Sequence, residues 1–213
     1  MTTSLPVARQ DPAPSDWVGP VTLTGRLVRL EPLTIAHLDD LTAAGADPAI
    51  WALTIARPTD RDGMAAWIRA AVAGREAGTE EPFATIDLAS GRASGSSRFM
   101  SIVPAHRRLE IGWTWVTPAR QRSGANREAK LLQLTHAFEV LGANRVEFKT
   151  DARNDKSRAA LLGIGARFEG IFRNHMIMPS GRLRDSAWYA VTVEDWPETR
   201  QRLQALLEER ARI

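Results

Sequence analysis

The chain has no cysteine among its 213 residues, which excludes disulfides, thiolate nucleophiles and Cys-ligated zinc or iron–sulfur centres. Its chemistry must use oxygen and nitrogen groups. No run of about 18 apolar residues occurs that could span a membrane, and residues 1–10 lack the apolar segment of a secretory signal. A cytoplasmic location with no membrane partner is expected. Glycine-rich nucleotide fingerprints are missing too: no GxGxxG follows a predicted strand, and no Lys-Ser or Lys-Thr follows the glycine of the one candidate anion loop. Lysine is scarce, three against 25 arginines, and the formal net charge is only +3. The arginines are dispersed rather than interleaved with aromatics, which argues against a nucleic-acid partner. Four histidines, His37, His106, His136 and His175, lack ligand spacing, so no metal site is expected.

What is present is an average globular composition, 44% apolar and 25% charged, long enough for one domain with its own core. Four prolines within residues 1–20 predict a flexible leader, with Trp17 docking locally, and residues 21–213 a single domain. A short strand ends at Pro32. Thr34 then caps a helix marked by Ile35, Leu38 and Leu41, and a second helix over 63–77 carries Met64, Trp67, Ile68, Ala71 and Val72 on one stripe. Strands over 82–88, 98–103 and 109–116, the first two separated by a Ser/Gly-rich turn, suggest an antiparallel meander. A helix from about Arg127 shows Leu131, Leu134, Phe138 and Leu141 at helical spacing. Alternation over 145–151 predicts a strand, 154–162 a short helix, 167–178 and 185–193 a hairpin, and 198–212 a charged helix.

Between the third meander strand and the long helix lies Gln121-Arg122-Ser123-Gly124-Ala125-Asn126. Free amides at a helix N-terminus and the helix dipole make such a loop an anion site that fits a pyrophosphate. Gly124 admits close backbone approach, and Asn126 suits the N-cap. An ordinary strand-to-helix loop with a glycine is the structural alternative.

These residues resemble the GNAT superfamily of N-acetyltransferases, in the branch similar to the RimJ/RimL ribosomal-protein alanine acetyltransferases. The resemblance covers about residues 21–196. It rests on Glu110-Ile111-Gly112-Trp113-Thr114-Trp115, the QxxGxN loop, Lys149-Thr150-Asp151-Ala152-Arg153-Asn154, Leu162-Gly163-Ile164-Gly165-Ala166-Arg167-Phe168-Glu169-Gly170 and Glu194-Asp195-Trp196. It implies an α/β (α+β) fold: a mixed, mostly antiparallel twisted sheet, splayed between its fourth and fifth strands and flanked by helices, with acetyl-CoA as co-substrate in the gap. Gln121 and Gly124 match the family's Q/R-x-x-G-x-G/A loop, while Asn126 departs from its last position. The resemblance further implies that Arg122 to Asn126 bind pyrophosphate, that the Trp115–Val116 backbone polarises the thioester carbonyl, and that Asn154 holds the pantetheine arm. Leu161 stands where many relatives carry a tyrosine acid, and Ser157 resembles the serine placed near the sulfur.

Acetyl transfer to an amine needs a neutral nucleophile, stabilisation of a developing oxyanion and a proton for the departing thiolate. Glu110 is the candidate base. Strict strand alternation puts it opposite Ile111, Trp113 and Trp115; the alternative roles are an edge glutamate or an ion-pair partner for an arginine. Ser157 is the candidate acid, otherwise an exposed helix serine. His175 is a secondary base candidate. Trp51 and Trp67 lie where relatives cover the acceptor, although core packing explains most of the seven tryptophans. The expected activity is direct transfer, in a ternary complex, to a protein N-terminus or a small-molecule amine. A non-catalytic acyl-CoA sensor on the same fold is the alternative. The sequence leaves the oligomeric state open, with a homodimer as one option.

Overall fold

The computed structural model describes residues 17–211, so the leader expected over 1–20 lies outside the described residues except at its last four positions. Strands β1 (Leu23–Thr24), β2 (Val28–Pro32), β3 (Glu81–Asp87), β4 (Arg92–Val103), β5 (Arg108–Val116), β6 (Arg145–Asp151), β7 (Arg167–Ile177) and β8 (Leu183–Thr192) join helices α1 (Leu38–Ala44), α2 (Arg61–Glu76), α3 (Ala125–Thr135), α4 (Asp155–Gly163) and α5 (Trp196–Ala211). The strands form one sheet in the order β1-β2-β3-β4-β5-β6-β8-β7. All neighbours run antiparallel except β5 and β6, which are parallel. A parallel pair needs a crossover, and α3 supplies it.

That parallel pairing is short. Arg108, Leu109 and Glu110 register with Arg145, Val146 and Glu147, and β5 then continues to Val116 with no partner on that side among the described residues. The sheet is therefore splayed where the resemblance implied, between β5 and β6 once the two-residue β1 is counted separately.

Two apolar clusters fill the two faces. One packs Leu30, Phe99, Ile111 and Phe148 beneath α3, α4 and α5 through Ala129, Leu161 and Leu203. The other packs Ala84, Ile86, Ala93 and Trp115 beneath α1 and α2 through Leu41, Met64 and Ile68, and it includes no residue of β6, β7 or β8. Trp51 and Trp67 belong to this second core, 1% and 7% exposed. Trp17 is buried as well, but its docking is long-range: Nε1 donates to the Leu141 carbonyl at 2.9 Å.

Two expectations are corrected. The Ser/Gly-rich turn is shorter than expected: it is confined to 88–91, and β4 runs through Ser94, Gly95, Ser96 and Ser97. Ser94 and Ser96 hydroxyls donate to the Thr85 and Phe83 carbonyls at 3.2 and 2.7 Å. Gly95 is required because a Cβ there would stand 2.2 Å from the Trp115 carbonyl oxygen. Strict alternation along β5 also fails. Trp113 has φ 49°, and the β4–β5 register shifts between Ser96 and Arg98, so a bulge inverts the side-chain parity. Ile111 faces the α3 cluster, whereas Trp113 packs on Trp67 at 6.4 Å and Trp115 joins the α2 cluster. Glu110, opposite Ile111, thus shares a face with both tryptophans.

Helix α3 also differs from its leucine stripe, because its buried face includes Glu128, Lys130 and Gln133. The Glu128 carboxylate accepts the backbone N–H groups of Arg26, Leu27 and Val28 at 2.9, 2.6 and 2.8 Å, tying the β1–β2 turn to α3. Lys130 Nζ donates to Thr114 Oγ1, Ser97 Oγ and Gln133 Oε1 at 2.6, 3.2 and 3.4 Å, all neutral acceptors.

Burial of Lys130, 4% exposed, pushes its ammonium pKa from 10.5 down to about 7. Between those two values the unfolded chain binds a proton that the folded chain does not, so stability rises with pH across that window, by up to roughly 1.4 kcal/mol per unit. Below pH 7 both states hold the proton and the penalty is at its fullest. Lys130→Met is expected to be more stable than the parent near neutrality, and to lose that part of the rise. Denaturant midpoints measured from pH 7 upward check this; parallel curves for the two proteins would contradict it.

Candidate functional site

The site begins where β5 ends. After Val116 a single 3₁₀ turn (Pro118–Arg120) leads into the loop, Arg122 takes a left-handed φ of 58°, and Gly124 one of 91°. Gly124, not Asn126, is the N-cap residue of α3, which starts two residues earlier than the apolar pattern indicates. Its Cβ position faces Leu27 Cδ1 and Arg210 Cδ at 3.1 and 3.2 Å, so this glycine is demanded by its φ and by packing, rather than by a ligand passing over it.

The loop organises its own polar groups. Gln121 Nε2 lies 3.4 Å from the Val116 carbonyl. Ser123 Oγ donates to the Arg120 carbonyl at 2.7 Å and accepts the Ala125 N–H at 3.3 Å. The amides of Asn126 and Arg127, in the first turn of α3, have no backbone acceptor among the described residues. They point toward the loop with the positive end of the helix dipole behind them. Asn126 Oδ1 is buried and lacks a hydrogen-bond partner. A cleft of about 270 Å³ adjoins the loop, lined by Arg26, Arg120 and Ser123 among others. Arg120 is anchored to Asp87 at 2.5 Å.

Trp115 and Val116 flank the free edge of β5. The Trp115 ring is core, 5.0 Å from Trp51, so only its backbone can serve a ligand in the gap. On the other side of the gap, Asn154 caps α4 by accepting the Ser157 N–H at 3.1 Å on Oδ1, which leaves its amide NH₂ group to donate. Ser157 is half-buried in the first turn of that helix.

Glu110 stands apart from these groups. It registers with Glu147 on β6, whereas Asn154 and Ser157 follow Asp151, so four strand residues, roughly 13 Å, intervene. Its carboxylate, 1% exposed, accepts from Lys149 Nζ at 2.9 Å and Ser101 Oγ at 3.2 Å. The ion-pair alternative is therefore realised, with a lysine in place of an arginine. His175 lies on the same face. Its Nδ1 is 3.1 Å from Ser186 Oγ and its ring is 5.8 Å from Trp188. Burial, then the charges of Lys149 and Arg184, push its pKa below the usual histidine value.

Residues 27–167 match the family model described as an acetyltransferase (GNAT) domain. A GCN5-related N-acetyltransferase from Brucella melitensis shares 36% identity and superposes with a TM-score of 0.83, covering 89% of this chain and 86% of that one. Mycobacterium smegmatis RimJ, solved with CoA-disulfide, shares the fold at 23% identity and a TM-score of 0.75, covering 88% and 95%. YdaF of Bacillus subtilis (strain 168), named as a candidate ribosomal N-acetyltransferase, is 29% identical over 51% of this chain and 58% of its own length. The chain spans little more than half the length of the curated relatives it matches.

Sequence reasoning missed Lys149, which reads there as an exposed position of β6, and Arg26, Arg120 and Arg210, which are remote from the loop or undistinguished in it. Gly124→Val should impose a side chain at φ 91° against Leu27 and Arg210, costing about 1–2 kcal/mol of stability. It should also weaken acetyl-CoA binding about tenfold by displacing the first-turn amides. Calorimetric affinity beside a melting curve checks both; a folded variant with unchanged affinity would detach the loop from the ligand.

Proposed function

The chain belongs to the GNAT acetyltransferases, and from that premise we propose that it moves the acetyl group of acetyl-CoA to a primary amine by direct attack in a ternary complex. The observation that carries this reading is the abutment of two unsatisfied backbone surfaces: the first-turn amides of α3 and the edge of β5 that β6 abandons after Glu110. One suits a pyrophosphate, the other an extended amide-bearing arm.

Acetyl-CoA supplies an activated acyl group on a thiolate leaving group. The amides of Asn126 and Arg127 hold the pyrophosphate, with Arg122, Ser123, Gly124 and Ala125 shaping the cradle, Gln121 holding its entrance and Arg26 and Arg120 adding positive charge. Backbone N–H groups near Trp115 and Val116 stabilise the negative charge that develops on the carbonyl oxygen. The Asn154 side-chain NH₂ donates to the pantetheine arm. Glu110 attracts the acceptor ammonium and receives its first proton, directly or through water; as the C–N bond forms and the C–S bond breaks, Ser157 Oγ gives its proton to the sulfur and takes the nitrogen's second proton in return. The acceptor is a protein N-terminus or a small amine; the name carried by YdaF favours the former. CoA-disulfide in the RimJ structure supports a CoA-shaped ligand.

A panel of amines and N-terminal peptides, followed by free-thiol release from acetyl-CoA, tests the reading, and silence across the panel despite cofactor binding would sink it. Ser157→Ala is expected to lower turnover ~10–100-fold at saturating acetyl-CoA while leaving its affinity nearly intact, since water substitutes in part for the hydroxyl. Reduced affinity with normal turnover would make Ser157 a binding residue. Glu110→Gln keeps shape and removes charge, so kcat/KM should fall near neutral pH, and the loss should shrink as rising pH provides free amine. Wild-type activity with an unchanged pH profile would leave Glu110 only its ion pair.

A further inference from the structure

On the sheet face that α1 and α2 leave uncovered, a buried cation makes no hydrogen bond or ion pair among the described residues. Arg184 of β8 is 7% exposed, and its Nε is buried without a hydrogen-bond partner among the described residues. Burial, opposed by the charge of Asp151, holds its guanidinium below the usual arginine value. The two carboxylates whose charges reach it, Asp151 and Glu110, are already engaged. Asp151 accepts from Arg182 Nη2 and from the Arg153 N–H; Glu110 accepts from Lys149 and Ser101. A buried charge lacking a counter-charge is expensive in free energy, and an anionic ligand would relieve it.

The surroundings are those of a binding face. Along β8, side chains 184, 186 and 188 project to the side opposite Ala187 and Tyr189, which are core. Trp188 Nε1 is a second buried donor without a partner. The Trp188 ring packs 5.0 Å from Phe172 and 5.8 Å from His175, with Lys149 Nζ 5.5 Å from its centroid. Lys149 registers with Trp188 across β6–β8 and pairs with Glu110 on β5, at the root of the splay. An aromatic cluster, with His175 edge-on to both Phe172 and Trp188, thus joins this guanidinium to the carboxylate that borders the gap.

We propose that this face is the acceptor site and selects primary amines carrying an anionic group, a carboxylate or phosphate, with Arg184 and Trp188 Nε1 donating to the anion and the amine directed to Glu110. The identification of the amine end rests on the acetyltransferase reading; recognition of the anion does not. The chemistry is shared by an amino acid-like small molecule and by an N-terminus followed by an acidic residue.

Two probe pairs separate those sources: β-alanine against β-alaninamide, and the tripeptide amides Ala-Asp-Ala against Ala-Asn-Ala. In at least one pair the acidic member is expected to have a kcat/KM about 10–100-fold higher, the range of hydrogen bonds to a charged group. Arg184→Met should abolish that preference and Arg184→Lys should retain part of it, with the KM for acetyl-CoA unchanged. Because Arg184 is unpaired, Arg184→Met should melt no lower than the parent, whereas a structural arginine would lose stability on removal. Equal rates within both pairs, or a preference that survives Arg184→Met, would overturn the proposal. Binding of the same probes to CoA-loaded protein, read by tryptophan fluorescence, keeps the two readings distinct. Arg184-dependent binding of acidic probes without thiol release would retain the anion site and remove acetyl transfer. Thiol release with neutral members alone would do the reverse, and no Arg184-dependent binding of any acidic probe would overturn the site.

Discussion

Beyond the Glu110–Glu147 register pair, the backbone of β5 from Ile111 to Val116 has polar groups along one edge that no strand among the described residues satisfies. Buried backbone donors and acceptors demand partners, so a strand parting from its neighbour inside a folded domain implies something else that occupies the gap. The parting has a local cause. The Trp113 bulge adds a residue opposite Ser97 and raises the twist of β5 where it separates, while Gly95 lets β4 follow closely on the other edge. β5 therefore holds β4 and releases β6. The same bulge turns Trp113 and Trp115 toward α2, where Arg98 lies 4.5 Å from the Trp67 ring and 5.0 Å from that of Trp113, so the distorted strand is packed rather than loose.

Helix α3 links this distortion to the loop proposed to hold the pyrophosphate. Its N-terminus offers free amides at the end of β5, and its buried polar residues lock it to two neighbours at once. Glu128 gathers three amides of the β1–β2 turn, which brings Leu27 against Gly124. Lys130 reaches the Thr114 and Ser97 hydroxyls at the bulge itself. A helix held only by leucines could slide or rotate by small amounts. Directional bonds at both ends of its first two turns fix where the amides point, the geometric requirement of an anion site.

Much of this was legible in the sequence, and the exceptions share a cause. Amphipathic stripes found α1 and α2, alternation found β6, and the strand–loop–helix context found the loop that leads into α3, because each depends on neighbours within a few residues. The β4 segment Ser94 to Ser97 was read as a turn since small polar residues usually signal one; its strand character comes from β3 carbonyls that accept the hydroxyls. The face of Glu110 was misassigned because one left-handed residue, Trp113, reverses parity, and no composition signals a bulge at a tryptophan. Lys149 and Arg184 looked like ordinary alternating strand positions. Only the sheet order, which places β8 between β6 and β7, brings them together.

The pairing of Glu110 with Lys149 bears on how an amine could lose its proton. The lysine that donates to this carboxylate also acts on the incoming acceptor. A second ammonium drawn to Glu110 in the proposed acceptor site would lie near Lys149 and Arg184, and like charges there favour the neutral amine. Recognition of the acceptor's own anion by Arg184 then offsets the repulsion that would otherwise exclude it, so binding and deprotonation are served by different groups. His175, whose pKa is lowered by burial and then by those same cations, lines this face as well. Repulsion from the same cations thus promotes loss of the acceptor's proton within the proposed site.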